Sequence, residues 1–175
     1  MPNIFLIGPR ACGKTTAGRA LAQKMKREFY DSDILIVERA GCEIARYVEK
    51  NGWDAFRDLE AAVLADLAAG DDAVISCGGG IVLREENREV LMAGYTVYIK
   101  ADEEVLAARL MVDPKHGQRP SLTGKPLTEE IREVLEARES LYVSCSSLVA
   151  DGAAPVDDVC DQISTHFESF DRGDK

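Results

Sequence analysis

Apolar positions along this chain come in two rhythms. The segment Asn3 to Ile7 is an unbroken apolar run of strand length that ends in Gly8-Pro9, the pattern of a strand covered on both faces and feeding a turn. From Lys14 the spacing turns helical, with Ala17, Leu21 and Met25 at four-residue steps and Lys24, Lys26 and Arg27 toward the end, where the helix dipole favours positive charge. A short extended piece at Phe29-Tyr30 leads to Asp31. Helical stretches then fill Ser32 to about Ala69, with Gly41 and Gly52 as breaks. Ala73-Val74-Ile75-Ser76 and Tyr95 to Ile99 read as further buried strands, the first stopped by Gly78-Gly79-Gly80 and followed by a charged helix from about Glu85 to Met92.

The second half continues the alternation. Asp102-Glu103-Glu104 opens a helix carried by Val105, Leu106 and Leu110, its acidic first turn matching the dipole. Thr128 is expected to cap a helix running from Glu129 to about Leu141, Ser147 to Ala150 to form a last strand, and Val156 to begin a final helix. Strands alternating with helices at this spacing predict parallel βαβ units, hence a three-layer α/β/α fold around a central parallel sheet of about five strands. Ligands should then bind at the carboxyl ends of the strands.

Between the two halves, Met111 to Lys125 is polar and contains Pro114, Gly117, Pro120 and Gly124. It is too long and irregular for a simple connector, which predicts a mobile lid. At 175 residues there is room for one core, so residues 1–170 are expected to form one domain with the lid at 111–125 inserted, and residues 171–175 a frayed tail.

Composition narrows the partners. With 21 basic against 31 acidic residues and a formal charge of −10, the chain should repel nucleic acid and anionic membranes. An anionic ligand therefore needs its own basic pocket. No apolar run has the length of a membrane span, and the opening segment lacks the basic start of a signal peptide, so a cytoplasmic location is expected. Cys12, Cys42, Cys77, Cys145 and Cys160 are scattered without a CxxC pair and read as reduced thiols. His116 and His166 lack metal-ligand spacing and read as surface residues.

One segment carries explicit chemistry. Gly8 to Thr15 fits G-x-x-x-x-G-K-[ST] and lies between a buried strand and a helix start, where such a loop must lie to cradle phosphates. Amides of the loop and helix start, through Ala11, Cys12, Gly13, Lys14, Thr15 and Thr16, converge on phosphate. Lys14 adds a mobile charge, and the Thr15 hydroxyl suits Mg2+. Because Ala11 is not glycine, its backbone is expected in a conformation open to ordinary residues.

Asp31-Ser32-Asp33 follows the second strand. In a chain this acidic the pattern alone fits a helix-capping pair equally well. Read as chemistry, one carboxylate holds Mg2+ through water while the other accepts the proton of an attacking hydroxyl. Gly78-Gly79-Gly80 implies that something approaches the backbone closely, since a tight turn needs only one or two glycines.

Together, Gly8 to Thr16, Asp31-Ser32-Asp33, Phe56-Arg57, Gly78-Gly79-Gly80, Arg119-Pro120 and Arg138 stand in the order and spacing of the shikimate kinases. The chain resembles that family over about the first four-fifths of its length, and Arg119 to Leu127 looks especially like its lid. The resemblance implies a P-loop kinase fold. It also implies transfer of the ATP γ-phosphoryl group to the 3-hydroxyl of shikimate, a cyclic carboxylate with three hydroxyls, within aromatic amino acid (chorismate) biosynthesis.

On that resemblance Asp33 accepts the substrate proton, Lys14 and Arg119 act on the phosphates, and Thr15 and Asp31 serve the metal. Arg57 and Arg138 match the carboxylate-binding arginines, since guanidinium forks suit a carboxylate. Each has an alternative as an ordinary salt bridge, to Glu60 and beside Glu139 respectively. Gly79 offers main chain to a substrate hydroxyl. Arg10 and Arg109 add positive potential, Arg109 also stacking on the adenine as its family counterpart does, with solvated helix or loop charge as the alternative for both. Trp53 and Phe56 are either pocket wall or core. ATP and shikimate are the expected partners of a monomer with no nucleic acid or membrane partner. Competing readings are a gluconate or nucleoside monophosphate kinase and a nucleotide-binding module without catalysis.

Overall fold

The computed structural model describes residues 1–112 and 125–173. Five parallel strands, β1 (Ile4–Ile7), β2 (Glu28–Asp31), β3 (Ala73–Ser76), β4 (Tyr95–Lys100) and β5 (Leu148–Asp151), form one sheet in the order β2-β3-β1-β4-β5. Helices α1 (Lys14–Met25), α2 (Ser32–Ala40), α3 (Ile44–Ala68), α4 (Glu85–Ala93), α5 (Glu103–Val112), α6 (Leu127–Cys145) and α7 (Val156–Asp171) connect and cover it.

The two faces follow from strand alternation, in which successive side chains point to opposite sides. Ile4 and Leu6 pack with Leu21 of α1 and Ile163 and Phe167 of α7. Phe5 and Ile7 pack with Leu64 of α3, Leu91 of α4 and Tyr142 of α6. β1 is therefore fully buried, which is why its sequence reads as a continuous apolar run. The three-layer α/β/α architecture expected from the pattern is the one observed.

Gly41 ends α2 at φ 68°, and Gly52, at φ 85° and ψ 168°, interrupts α3. Both are the breaks expected from the sequence. Two boundaries differ. Helix α6 starts at Leu127 with Pro126 as its N-cap, the Pro126 carbonyl accepting the Glu130 N–H at 3.0 Å, so Thr128 lies inside the first turn. Helix α5 continues through Val112, two residues into the expected loop, and α7 reaches Asp171, the first residue of the expected tail. His166 is exposed, yet its Nδ1 lies 2.9 Å from the Tyr95 hydroxyl. Among the described residues no helix is long and apolar enough to cross a membrane.

Candidate active site

The order β3-β1-β4 puts the loop after β1 at the middle of the sheet's carboxyl edge, with α1 running away from it. The amide end of α1 faces the space above the loop, a favourable place for phosphate. Gly8 adopts φ 143° and Gly13 φ 107°, and a Cβ at Gly8 would lie 2.6 Å from the Ile99 carbonyl oxygen. Ala11 departs from expectation: its φ is 66°, in the left-handed region that costs an L-residue roughly 1–2 kcal/mol. Its neighbours hold it there. Arg109 Nη1 donates to the Ala11 carbonyl at 3.2 Å, and Cys12 N–H donates to Pro9 O at 3.4 Å.

Lys14 is buried, and its ammonium donates to the Gly8 and Pro9 carbonyls at 2.8 and 2.7 Å. The loop's own carbonyls thus hold the charge that the motif reserves for phosphate. Thr15 Oγ1 donates to Asp31 Oδ2 at 2.9 Å and lies 3.4 Å from Ser76 Oγ. Pairing of Asp31 with Ser76 across β2 and β3 brings these oxygens together. The other Asp31 oxygen accepts the Asp33 N–H at 3.0 Å and caps α2. Asp31 thus caps α2 with one oxygen and, with the other, accepts the Thr15 hydroxyl at the phosphate loop, so capping leaves one oxygen directed to the loop.

Two clefts adjoin here. The first is walled by residues 10–17, Asp31, Ser76, Arg109 and the turn at Gly152 to Ala154. Arg109 ties its opposite walls, donating from Nη2 to Gly152 O at 2.8 Å while Nη1 holds Ala11. The second contains Trp53, Phe56, Arg57, Glu60, Arg138 and an apolar side that includes Leu106 and Ile131. Arg10, Asp33, Gly78 and Gly79 line both.

In the second cleft Glu60 is 1% exposed and accepts from Arg57 Nη1 at 2.5 Å. Burial pushes the Glu60 carboxyl above the ordinary range, opposed by the Arg57 charge and hydrogen bond. The Arg57 guanidinium also lies 5.4 Å from the Trp53 ring centre and 5.0 Å from that of Phe56. Phe56 is 4% exposed, so it serves core and cleft at once. Arg138 Nη1 donates to Gly79 O at 3.2 Å. Its sequence neighbour Glu139 pairs with Lys100 instead.

The three glycines are explained by these side chains. A Cβ at Gly80 would overlap the Arg57 guanidinium, and one at Gly78 would lie 2.8 Å from Asp33 Oδ1 and 3.0 Å from Glu60 Oε1. Gly79 meets only ordinary contacts, 3.5 Å to Arg10 N and Gly8 O. Its carbonyl accepts from Arg138 and Tyr142.

Lys14, Thr15, Asp31, Asp33, Arg57, Gly79, Arg109 and Arg138 are thus gathered at one edge of the sheet. Arg119 lies outside the described residues. Sequence reasoning missed Ser32, whose hydroxyl accepts the Gly78 N–H at 3.0 Å, as well as Ser76, Tyr142 and Gly152. A hydroxyl ending a buried strand at the carboxyl edge was the available signal for Ser76. Tyr142 and Gly152 gave none, because their hydrogen-bond partners Gly79 and Arg109 are 63 and 43 residues away in the chain.

A phosphate-binding loop at the centre of a parallel sheet, beside a second cleft with its own carboxylates and arginines, defines a P-loop kinase of small molecules. The family model described as shikimate kinase matches residues 10–168. A shikimate kinase from Nitratidesulfovibrio vulgaris is 49% identical over 163 residues, covering 93% of each chain. Shikimate kinase 2 from Sodalis glossinidius is 44% identical, covering 92% of each. A solved shikimate kinase from Acinetobacter baumannii, in complex with shikimate, superposes with TM-score 0.90 at 33% identity, over 97% of this chain and 94% of that one. This chain belongs to the shikimate kinase family. A gluconokinase from Sinorhizobium meliloti, with TM-score 0.61 and 19% identity, shares the fold alone.

Proposed function

We propose that this chain transfers the γ-phosphoryl group of ATP to the 3-hydroxyl of shikimate, giving shikimate 3-phosphate and ADP in aromatic amino acid biosynthesis. Family membership supports the reaction. The observation that carries the assignment of residues is the position of Asp33, shared by a phosphate cleft and a cleft holding Arg57 and Arg138.

Shikimate's carboxylate would engage Arg57 and Arg138, charge-matched donors for a carboxylate. Its 3-hydroxyl would face Asp33, which orients it and takes its proton as the oxygen attacks phosphorus. The loop amides of Ala11 to Thr16 and the Lys14 ammonium would hold the β- and γ-phosphates, Lys14 exchanging the Gly8 and Pro9 carbonyls for phosphate oxygens. Phosphoryl transfer has a loose transition state, so positioning and charge stabilisation carry most of the catalysis. Arg109 supports the nucleotide cleft by holding Ala11 to Gly152, and Gly79 offers its N–H to a substrate hydroxyl. On sequence, residues 1–170 form one domain whose 111–125 segment closes as a lid and brings Arg119 to the phosphates.

The oxygens of Thr15, Asp31 and Ser76 fit Mg2+, which takes one or two protein oxygens, waters and substrate phosphates. Among the described residues no group of three or more His, Cys, Asp or Glu side chains forms a metal cage, and ATP-bound Mg2+ needs none. When bound it would neutralise charge on the β- and γ-phosphates. One chain builds both clefts, which supports a monomer as the working unit, and a cytoplasmic location fits consumption of ATP.

ADP release should be measured separately with shikimate, gluconate and nucleoside monophosphates. Turnover with shikimate is expected, and Asp33→Asn should lower kcat by about 10²- to 10⁴-fold while shikimate still binds. Turnover only with another acceptor would replace shikimate in the proposal. Release with none would leave a nucleotide-binding module.

A further inference from the structure

The Gly79 carbonyl accepts two hydrogen bonds, from Tyr142 Oη at 2.5 Å and Arg138 Nη1 at 3.2 Å. The donors differ in character. Arg138 is half-buried and lines the acceptor cleft, whereas Tyr142 is fully buried and stacks on Tyr98, ring centres 5.0 Å apart and planes 25° apart. They stand four residues apart on α6, hence on one face of it.

An arginine that is to fork an incoming carboxylate must turn from its backbone acceptor. A half-buried carbonyl then left without a protein donor opposes the turn. Tyr142 removes that opposition, because its hydroxyl stays on Gly79 O. Since carbonyl and N–H of one peptide share a plane, the same bond fixes the Gly79–Gly80 peptide between the P-loop and Arg57.

We propose that Tyr142 is a positioning residue for the acceptor: its hydroxyl holds the Gly79 peptide and so frees Arg138 to bind the acceptor's carboxylate. This rests on the shikimate reading above. Tyr142 has no contact with the acceptor in this scheme and acts through Gly79 and Arg138.

The test compares Tyr142→Phe and Tyr98→Phe with the wild type. Both keep the stacked rings, and each loses one hydroxyl. Binding of shikimate is followed by fluorescence of Trp53, the sole tryptophan and a residue of the cleft wall. Tyr142→Phe is expected to raise the Kd and KM for shikimate about tenfold, with kcat and the KM for ATP within about twofold. Tyr98→Phe should leave all four within about twofold, since the Tyr98 hydroxyl is buried without a hydrogen-bond partner among the described residues. In an Arg138→Ala background, Tyr142→Phe should change the shikimate KM by less than about twofold, because residues that act as a unit are non-additive. An unchanged shikimate Kd in Tyr142→Phe overturns the proposal. So do equal losses in the two Phe variants, a parallel rise in the KM for ATP, or full additivity with Arg138→Ala. A wild type that neither binds nor phosphorylates shikimate overturns the function proposed above instead, before any variant is compared.

Discussion

Glu60 sits in an environment at odds with its chemistry: a carboxylate 1% exposed, accepting from the Arg57 guanidinium. A buried ion pair is weak evidence for stability, since desolvation of both charges offsets their attraction. The pair is better understood as fixing Arg57 in the cleft. Burial raises the Glu60 carboxyl above its unfolded value, so the folded protein holds this proton more tightly than the unfolded chain does. Its contribution to stability is then fullest at low pH and is lost as pH rises through the raised value. Comparison with Glu60→Gln isolates this effect. The melting temperature of the wild type minus that of the variant should grow as pH is lowered from about 8 to about 5; a difference that shrinks over that range would contradict the assignment. From the sequence Arg57 could be either ion-pair partner or ligand arginine. It pairs with Glu60 while lining the cleft, so the ion pair does not exclude the ligand role proposed above, which spacing alone could not reveal.

Elements show a different division of labour, best seen in two glycines. Gly18 lies in α1 against the sheet, and a Cβ there would meet Phe29 Cε2 at 2.7 Å and Leu6 Cδ1 at 3.0 Å. Gly80 follows β3, and a Cβ there would meet Arg57. The first contact is with the core, where overpacking costs about 1–3 kcal/mol. The second is with the end of a long side chain that can move, at the expense of its place in the cleft. Gly18→Ala should therefore lower thermal stability and leave the shikimate KM near wild type, while Gly80→Ala should raise that KM at least about tenfold with a smaller loss of stability. Thermal melts and steady-state kinetics on the two variants check both halves, and identical behaviour would refute the distinction. The run of three glycines was legible as a close approach. That the approaching groups are Asp33, Glu60 and Arg57 was not, because two of them come from α3 and one from α2.

At the scale of the whole molecule, the strand order decides the function. Placing β1 between β3 and β4 puts the phosphate loop beside Ser76 and Asp31 on one side and Arg109 and Gly152 on another, with the acceptor cleft adjoining through Gly78 and Gly79. The metal proposed at Thr15 and Asp31 would be held mostly by the nucleotide, so the fold should not depend on it. Chelation of Mg2+ should abolish turnover and leave the melting temperature of the nucleotide-free protein within about 1–2 °C of its starting value, because nothing bound to the native state is removed. A large drop in melting temperature on chelation would reveal a structural metal instead.

Local chemistry can be read directly from residue order. The apolar run of β1, the helical spacing of α1, the breaks at Gly41 and Gly52 and the phosphate loop between strand and helix depend on neighbours a few residues apart, and periodicity records such neighbours. Tertiary structure alone decided which distant groups share an atom or a surface. Ala11 in the left-handed region, Ser76 beside Thr15, and Tyr142 with Arg138 on the Gly79 carbonyl each join segments brought together by strand pairing or helix packing. The energy of such contacts depends on distance in space, and a linear pattern carries no measure of it.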